Sequence, residues 1–78
     1  MAVPPKPSWE DRAKRYLKAE LKRAEVSYAD LAKRLKPHGL KETEASIANK
    51  LSRGTFPATF FVAVMRAIGR EQVDLADV

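Results

Sequence analysis

Four hydrogen-bonding side chains recur at helical spacing in the middle of the chain: Ser46, Asn49, Lys50 and Arg53. Their spacing places all four on one face of a helix, since successive residues rotate by about 100°. These are side-chain types that read base edges in the major groove of DNA, and asparagine and arginine can do so with two hydrogen bonds each. The spacing therefore predicts a surface that contacts DNA bases. Any solvent-facing helix of a small bundle can carry such a polar arc, and that alternative stays open.

The helix that must carry this face is predicted over residues 43–53. Its other side holds the apolar residues that would anchor it to a core: Ile47, Ala48 and Leu51. Glu42 and Glu44 fall at its N-terminal end, where the helix dipole favours negative charge. Gly54 follows its last residue and is suited to the left-handed conformation that ends many helices.

A first amphipathic helix is predicted to begin at Ser8, because Ser8 and Asp11 have the spacing of a capping box. Its opposite face is basic, and its apolar stripe comprises Trp9, Ala13, Tyr16, Leu17, Leu21 and Ala24. Glu20 falls within that stripe. Because an unpaired buried carboxylate is costly, we expect Glu20 to reach the rim of the core or to meet an arginine.

A second helix is predicted to begin with a similar pair, Ser27 and Asp30, and to end near Lys36. It must stop there because Pro37 disfavours helical backbone in the residue before it. Its buried stripe comprises Tyr28, Leu31, Ala32 and Leu35. His38 and Gly39 then provide a turn that leads to the polar-faced helix.

A fourth helix is predicted to begin at Pro57, which suits the first helical position, and to end at Gly69. It is the most apolar element of the chain. Phe60 and Phe61 cannot both face one core, so we expect one of them to be exposed for contact with a partner. A second copy of the chain, forming a homodimer, is one such partner. The predicted shared core comprises Leu31, Leu35, Ile47, Leu51, Phe61, Val64 and Ile68, together with Trp9 or Tyr16.

These elements predict an all-α protein, a compact domain of four to five helices over residues 8–69. Residues 1–7 contain three prolines and are expected to form a flexible arm. Residues 70–78 are expected either to form a short turn that packs Val73 and Leu75 or to fray. A chain of 78 residues without cysteine must rely on helix packing for its stability.

Charge is unevenly distributed along the chain. Residues 1–54 carry thirteen Lys/Arg against seven Asp/Glu, whereas residues 55–78 carry two against three. The net charge of +5 favours a polyanionic partner such as nucleic acid, although a basic surface also serves solubility alone. If the partner is double-stranded DNA, phosphate contacts are expected from Lys33, Arg34 and Lys41, with Arg12, Arg15 and Lys6 as further candidates.

Several classes of protein are disfavoured. With no cysteine and one histidine, His38, no metal site is expected. We find no nucleophile–base set, no matched carboxylate pair and no glycine-rich phosphate loop in the sequence. We therefore expect neither an enzyme nor a bound cofactor or small-molecule substrate. The longest apolar run, residues 60–65, is far shorter than the roughly 20 residues of a membrane span. With no export signal visible, the protein is expected in the cytoplasm.

Residues 27–32 (SYADLA) and 50–54 (KLSRG), followed by Pro57, resemble the lambda-repressor-like helix-turn-helix group. More narrowly, residues 26–29 (VSYA) and 50–58 (KLSRGTFPA) are similar to a small bacterial family catalogued as a domain of unknown function. The resemblance covers roughly residues 9–68. It implies a lambda-repressor-like fold, whereas the narrower family brings no assigned activity with it. From the order of the helices and the polar face, we expect a DNA-binding protein, a small transcriptional regulator that reads the major groove with the helix near residues 43–53.

Two features depart from that pattern. The turn from residue 36 to about 42 is longer than the three or four residues of the standard motif. The start of the reading helix carries Glu42 and Glu44, which phosphates would repel. The alternative is a protein-interaction module on the same scaffold without DNA binding. RNA binding is a third hypothesis, but it would favour exposed aromatic residues among the basic ones, and these are few.

Overall fold

Three of the four α-helices in residues 7–78 begin at a hydroxyl side chain that caps their first turn. The capping residues are Ser8, Ser27 and Thr43, all in extended backbone conformation. Each side-chain oxygen accepts a hydrogen bond from the backbone N–H three residues later, at 3.1, 3.1 and 3.0 Å respectively. These bonds satisfy N–H groups that have no partner within the helix, so the chain turns into a helix at the predicted places.

The computed structural model describes residues 7–78, which contain four α-helices, two short 3₁₀ turns and no strand. The helices are α1 (Trp9–Arg23), α2 (Tyr28–Leu35), α3 (Glu44–Arg53) and α4 (Ala58–Ala67), and the 3₁₀ turns are Lys36–His38 and Leu75–Asp77. The predicted all-α class is confirmed for this part of the chain. The arm predicted over residues 1–7 lies outside the described residues except for Pro7.

The boundaries of α4 differ slightly from the prediction. Pro57, predicted as the first helical residue, has extended backbone (φ −61°, ψ 149°) and precedes the helix. Its carbonyl oxygen accepts hydrogen bonds from the backbone N–H groups of Phe60 and Phe61. Pro57 therefore acts as the capping position, where its missing N–H is not needed.

The core lies where α2 packs against α3 and α4, and where α1 packs against α3. It is closed by twelve buried apolar residues: Tyr16, Leu17, Leu21, Val26, Leu31, Ala32, Leu35, Ile47, Leu51, Phe60, Val64 and Met65. This confirms the predicted burial of Leu31, Leu35, Ile47, Leu51 and Val64. Each helix contributes most of the apolar stripe that its periodicity predicted, because a chain this small has no second core in which to bury these side chains.

Of the alternatives Trp9 and Tyr16, the second is correct, whereas the expectation that Phe60 or Phe61 would be exposed is wrong. Phe61 and Ile68, both predicted in the core, are half-buried and pack against it. Trp9 is 68% exposed, with the Arg12 guanidinium 4.1 Å from its ring centroid, and Tyr16 is the buried aromatic residue of α1. Phe60 is buried and Phe61 is half-buried, so neither member of the pair stands free in solvent. Phe56 packs against both rings, with its ring centroid 5.5 Å from that of Phe60 and 6.4 Å from that of Phe61.

Glu20 is a carboxylate inside the core, only 1% exposed. Of the two predicted outcomes, pairing with arginine is correct. Arg23 Nη1 donates to Glu20 Oε1 at 2.9 Å. Arg70 Nε lies 2.8 Å from Oε2, an ion pair whose N–H is not aimed at the oxygen. These two contacts connect the end of α1 to the chain that leaves α4, and both arginine side chains remain at least half exposed.

The segment after α4 folds back toward α1. Its 3₁₀ turn is capped by Asp74, whose side chain accepts from the Ala76 backbone N–H at 2.9 Å. Val78 packs against the core, whereas Val73 and Leu75, the predicted anchors, are 36% and 77% exposed. The predicted short turn is present, but it is anchored by a different residue.

Candidate nucleic-acid interface

A hydrogen-bond network around Glu42 holds the start of α3. Ser46 Oγ accepts from the Thr43 backbone N–H at 2.8 Å and donates to Glu42 Oε1 at 2.7 Å. Lys50 Nζ donates to both carboxylate oxygens of Glu42, at 2.9 and 3.0 Å, and lies 5.3 Å from the ring centroid of Phe60. Ser46 and Lys50 are therefore half-buried and engaged within the protein, a role that their spacing alone did not predict.

The same network changes the acidity of Glu42. Partial burial raises the pKa of the Glu42 carboxyl, but hydrogen bonds from Lys50 and Ser46, together with the Lys50 charge, outweigh that effect. Its pKa is consequently lowered, and Glu42 is ionised at neutral pH. Because Lys50 lies against it, the pair presents almost no net charge to a ligand at this end of α3.

Glu44 and Ala45 are exposed in the first turn of α3, and the exposed side beyond them is formed by three residues, Asn49, Ser52 and Arg53. Among the described residues, none of the three side chains forms a hydrogen bond or an ion pair. Two residues of the predicted four-residue face, Asn49 and Arg53, are thus open to solvent. Ser52 was missing from the prediction, although it lies only about 60° around the helix from Asn49.

The C-terminal end of α3 packs against the first turn of α1. Gly54 is buried and left-handed (φ 72°), and its N–H donates to the Lys50 carbonyl at 2.9 Å. A side chain here would overlap the Glu10 carbonyl group, since a Cβ atom would lie 2.7 Å from its carbon. The glycine therefore lets the backbones of α3 and α1 approach, and this contact positions Arg53 near the beginning of α1.

Exposed cations flank the connection between α2 and α3. Lys33, Lys36 and Lys41 are exposed and form no ion pair with other described residues. Arg34, also a predicted phosphate contact, pairs with Asp30 at 3.2 Å, although both side chains remain more than 40% exposed. Lys36 was not predicted as a phosphate contact. The feature of the sequence that could have indicated it is its position at the end of α2, next to the turn.

The further candidates on α1 have different surroundings. Arg12 is half-buried, and its Nε and Nη2 donate to the Val78 carbonyl oxygen at 3.2 and 2.8 Å. Arg15 is exposed and forms no ion pair within residues 7–78. Lys6 lies outside the described residues. Of these candidates, Arg15 is the one that the fold leaves open to a ligand.

Neither a metal centre nor a membrane segment is found in the described part of the chain. Within residues 7–78, no three His, Cys, Asp or Glu side chains lie close enough together to hold a metal ion. His38 is exposed in the 3₁₀ turn. Of the helices in this range, none has both the length and the apolar character needed to cross a bilayer.

A family model described as a domain of unknown function, DUF6471, matches residues 9–73. The match covers most of the chain and all four helices, so the protein belongs to this family. Searches of curated proteins and of solved structures found no match.

Proposed function

We propose that this DUF6471 protein binds double-stranded DNA as a helix-turn-helix protein and acts as a small transcriptional regulator, with α3 entering the major groove. The observation that carries the proposal is the exposed side of α3. Asn49 and Arg53 have free side chains within the described structure, and such side chains can form paired hydrogen bonds with adenine and guanine. Ser52, beside them, can donate to or accept from a base.

The arrangement of α2 and α3 supports this reading. The two helices pack directly against each other, and α3 turns its apolar residues Ile47 and Leu51 inward. A helix held in this way can insert its outer side into a groove that is wide enough for one helix. The connection over residues 36–43 is longer than in a standard motif, but a 3₁₀ turn and the left-handed Gly39 (φ 84°) give it a defined course.

The charge distribution supports the same partner. Residues 33–53 contain six Lys/Arg and two Glu. The carboxylate of Glu42 is paired with Lys50, so Glu44 is the remaining acidic side chain at the start of α3. Lys33, Lys36 and Lys41 would contact phosphates on either side of the groove. Ser46 and Lys50 would reach bases only after releasing Glu42, so Asn49 and Arg53 are the principal base contacts in this proposal.

The first experiment measures binding of a labelled mixed-sequence duplex by fluorescence anisotropy at increasing salt. Log affinity should fall linearly with log salt concentration, because bound lysines displace counterions from the DNA. Replacing Lys36 and Lys41 together by alanine should reduce the magnitude of that slope by about 2. The matched control is the Lys18→Ala/Lys22→Ala double variant on α1, which removes the same charge and should change the slope less.

Two results would contradict the proposal. One is an absence of binding at low ionic strength, which would favour a protein-interaction module on the same scaffold. The other is an equal loss of slope in both double variants, because this would show association with the whole basic surface and not with the α2–α3 region.

A further inference from the structure

The solvent-facing side of α4 differs from that of every other helix. It consists of Ala58, Thr59, Val62 and Arg66, so it carries a single charge. In α1, by contrast, nine of the fifteen residues are charged. Val62 is 64% exposed at the centre of this side. Depletion of charged residues and the presence of an arginine are two features of the centre of a protein–protein interface.

A groove runs beside this face, between α4 and the chain that follows it. Its volume is about 380 Å³, and it is lined by Phe61, Val62, Met65, Arg66, Arg70, Glu71 and Val73. Val73, 36% exposed, adds a second apolar side chain to that of Val62. An apolar strip with charged residues at its margin is the usual arrangement of a contact surface.

The charges on the groove are complementary to one another. Arg66 and Glu71 are both exposed, and neither forms an ion pair with any residue of the range 7–78. Arg70, the other cation of the groove, is already held by Glu20. In an interface with twofold symmetry, a residue i of one copy meets residue j of the other, and j meets i. A second copy would therefore pair Arg66 with Glu71 twice.

We infer that α4 and residues 70–73 form a symmetric homodimer interface, centred on Val62 and Val73 and closed by two Arg66–Glu71 pairs. An unrelated partner would need an apolar strip and both charges in matching positions, whereas a second copy supplies them by symmetry. The inference is independent of DNA binding, because α3 and the α2–α3 connection contribute nothing to this surface.

Charge reversal tests the dimer in the absence of DNA. Analytical ultracentrifugation over a range of concentrations up to millimolar should show a monomer–dimer equilibrium for the unmodified chain. Arg66→Glu and Glu71→Arg should each weaken the dimer at least about tenfold, because each places like charges opposite one another twice. Lys22→Glu on α1, a matched reversal outside the groove, should leave the equilibrium unchanged.

Mixing the two variants gives the decisive result. In an equimolar mixture of Arg66→Glu and Glu71→Arg, both cross-pairs become attractive again, so a heterodimer should form at concentrations where each variant alone is monomeric. The Arg66→Glu/Glu71→Arg double variant should likewise dimerise with itself. The inference is overturned if the unmodified chain stays monomeric, if the single reversals have no effect, or if the mixture associates no better than its components.

Discussion

At the scale of single residues, position 54 places two requirements on its amino acid, and only glycine satisfies both. Its left-handed backbone is strained for any residue with a Cβ atom, and the Glu10 carbonyl group occupies the space that a Cβ would need. Gly39 meets the first requirement only, because nothing lies within 4 Å of its Cβ position. The two glycines therefore separate the contribution of conformation from that of packing.

Gly39→Ala should lower the free energy of unfolding by roughly 1–2 kcal/mol, the strain of left-handed backbone. Gly54→Ala should lower the free energy of unfolding by about 1–3 kcal/mol more than Gly39→Ala does, because α3 must also move away from α1. Urea denaturation of both variants measures the difference. Equal destabilisation would show that the contact between Gly54 and Glu10 is not a tight one.

At the scale of elements, the start of α3 depends on the ionised form of Glu42. Its lowered pKa means that the folded protein holds the carboxylate more strongly than the unfolded chain does. Stability from this source is therefore present above the ordinary glutamate pKa of about 4.3 and is lost as the pH falls through the lower folded value. Glu42→Gln removes the ionisable group while keeping its shape.

At neutral pH, Glu42→Gln should reduce the free energy of unfolding by about 1.5–3 kcal/mol, the range for hydrogen bonds to charged groups. The difference from the parent should shrink as the pH falls below the ordinary glutamate range. Glu44→Gln is the matched control, since Glu44 is exposed and unpaired among the described residues. Thermal unfolding at a series of pH values tests this, and a constant difference between Glu42→Gln and the parent would contradict it.

At the scale of the whole molecule, the local signals were readable from the sequence. Capping residues and apolar periodicity depend on neighbours three or four positions away, and they predicted all four helices and most of the core. The pairing of Glu42 with Lys50 spans eight positions and requires a particular course of the preceding turn. Periodicity could not show it, so Ser46 and Lys50 were predicted to contact DNA bases together with Asn49 and Arg53.

Trp9 shows a similar limit. Periodicity indicates which side of α1 faces the body, but not how far along that side the other helices extend. The stripe of α1 therefore predicted a buried Trp9, which the fold leaves exposed. Contacts between backbones, such as that between Gly54 and Glu10, were also beyond a pattern that describes side chains only.

The central claim is that α3 reads DNA sequence, and selection of duplexes from a random pool tests it most directly. The unmodified chain should enrich a preferred sequence, on which Asn49→Ala and Arg53→Ala should each lose roughly 1–3 kcal/mol of binding free energy while binding random DNA almost normally. Lys18→Ala, which removes one charge from α1, should select the same sequence as the parent. A pool without a preferred sequence, or Asn49→Ala and Arg53→Ala proteins that fold and select the parent's sequence with equal affinity, would contradict the claim.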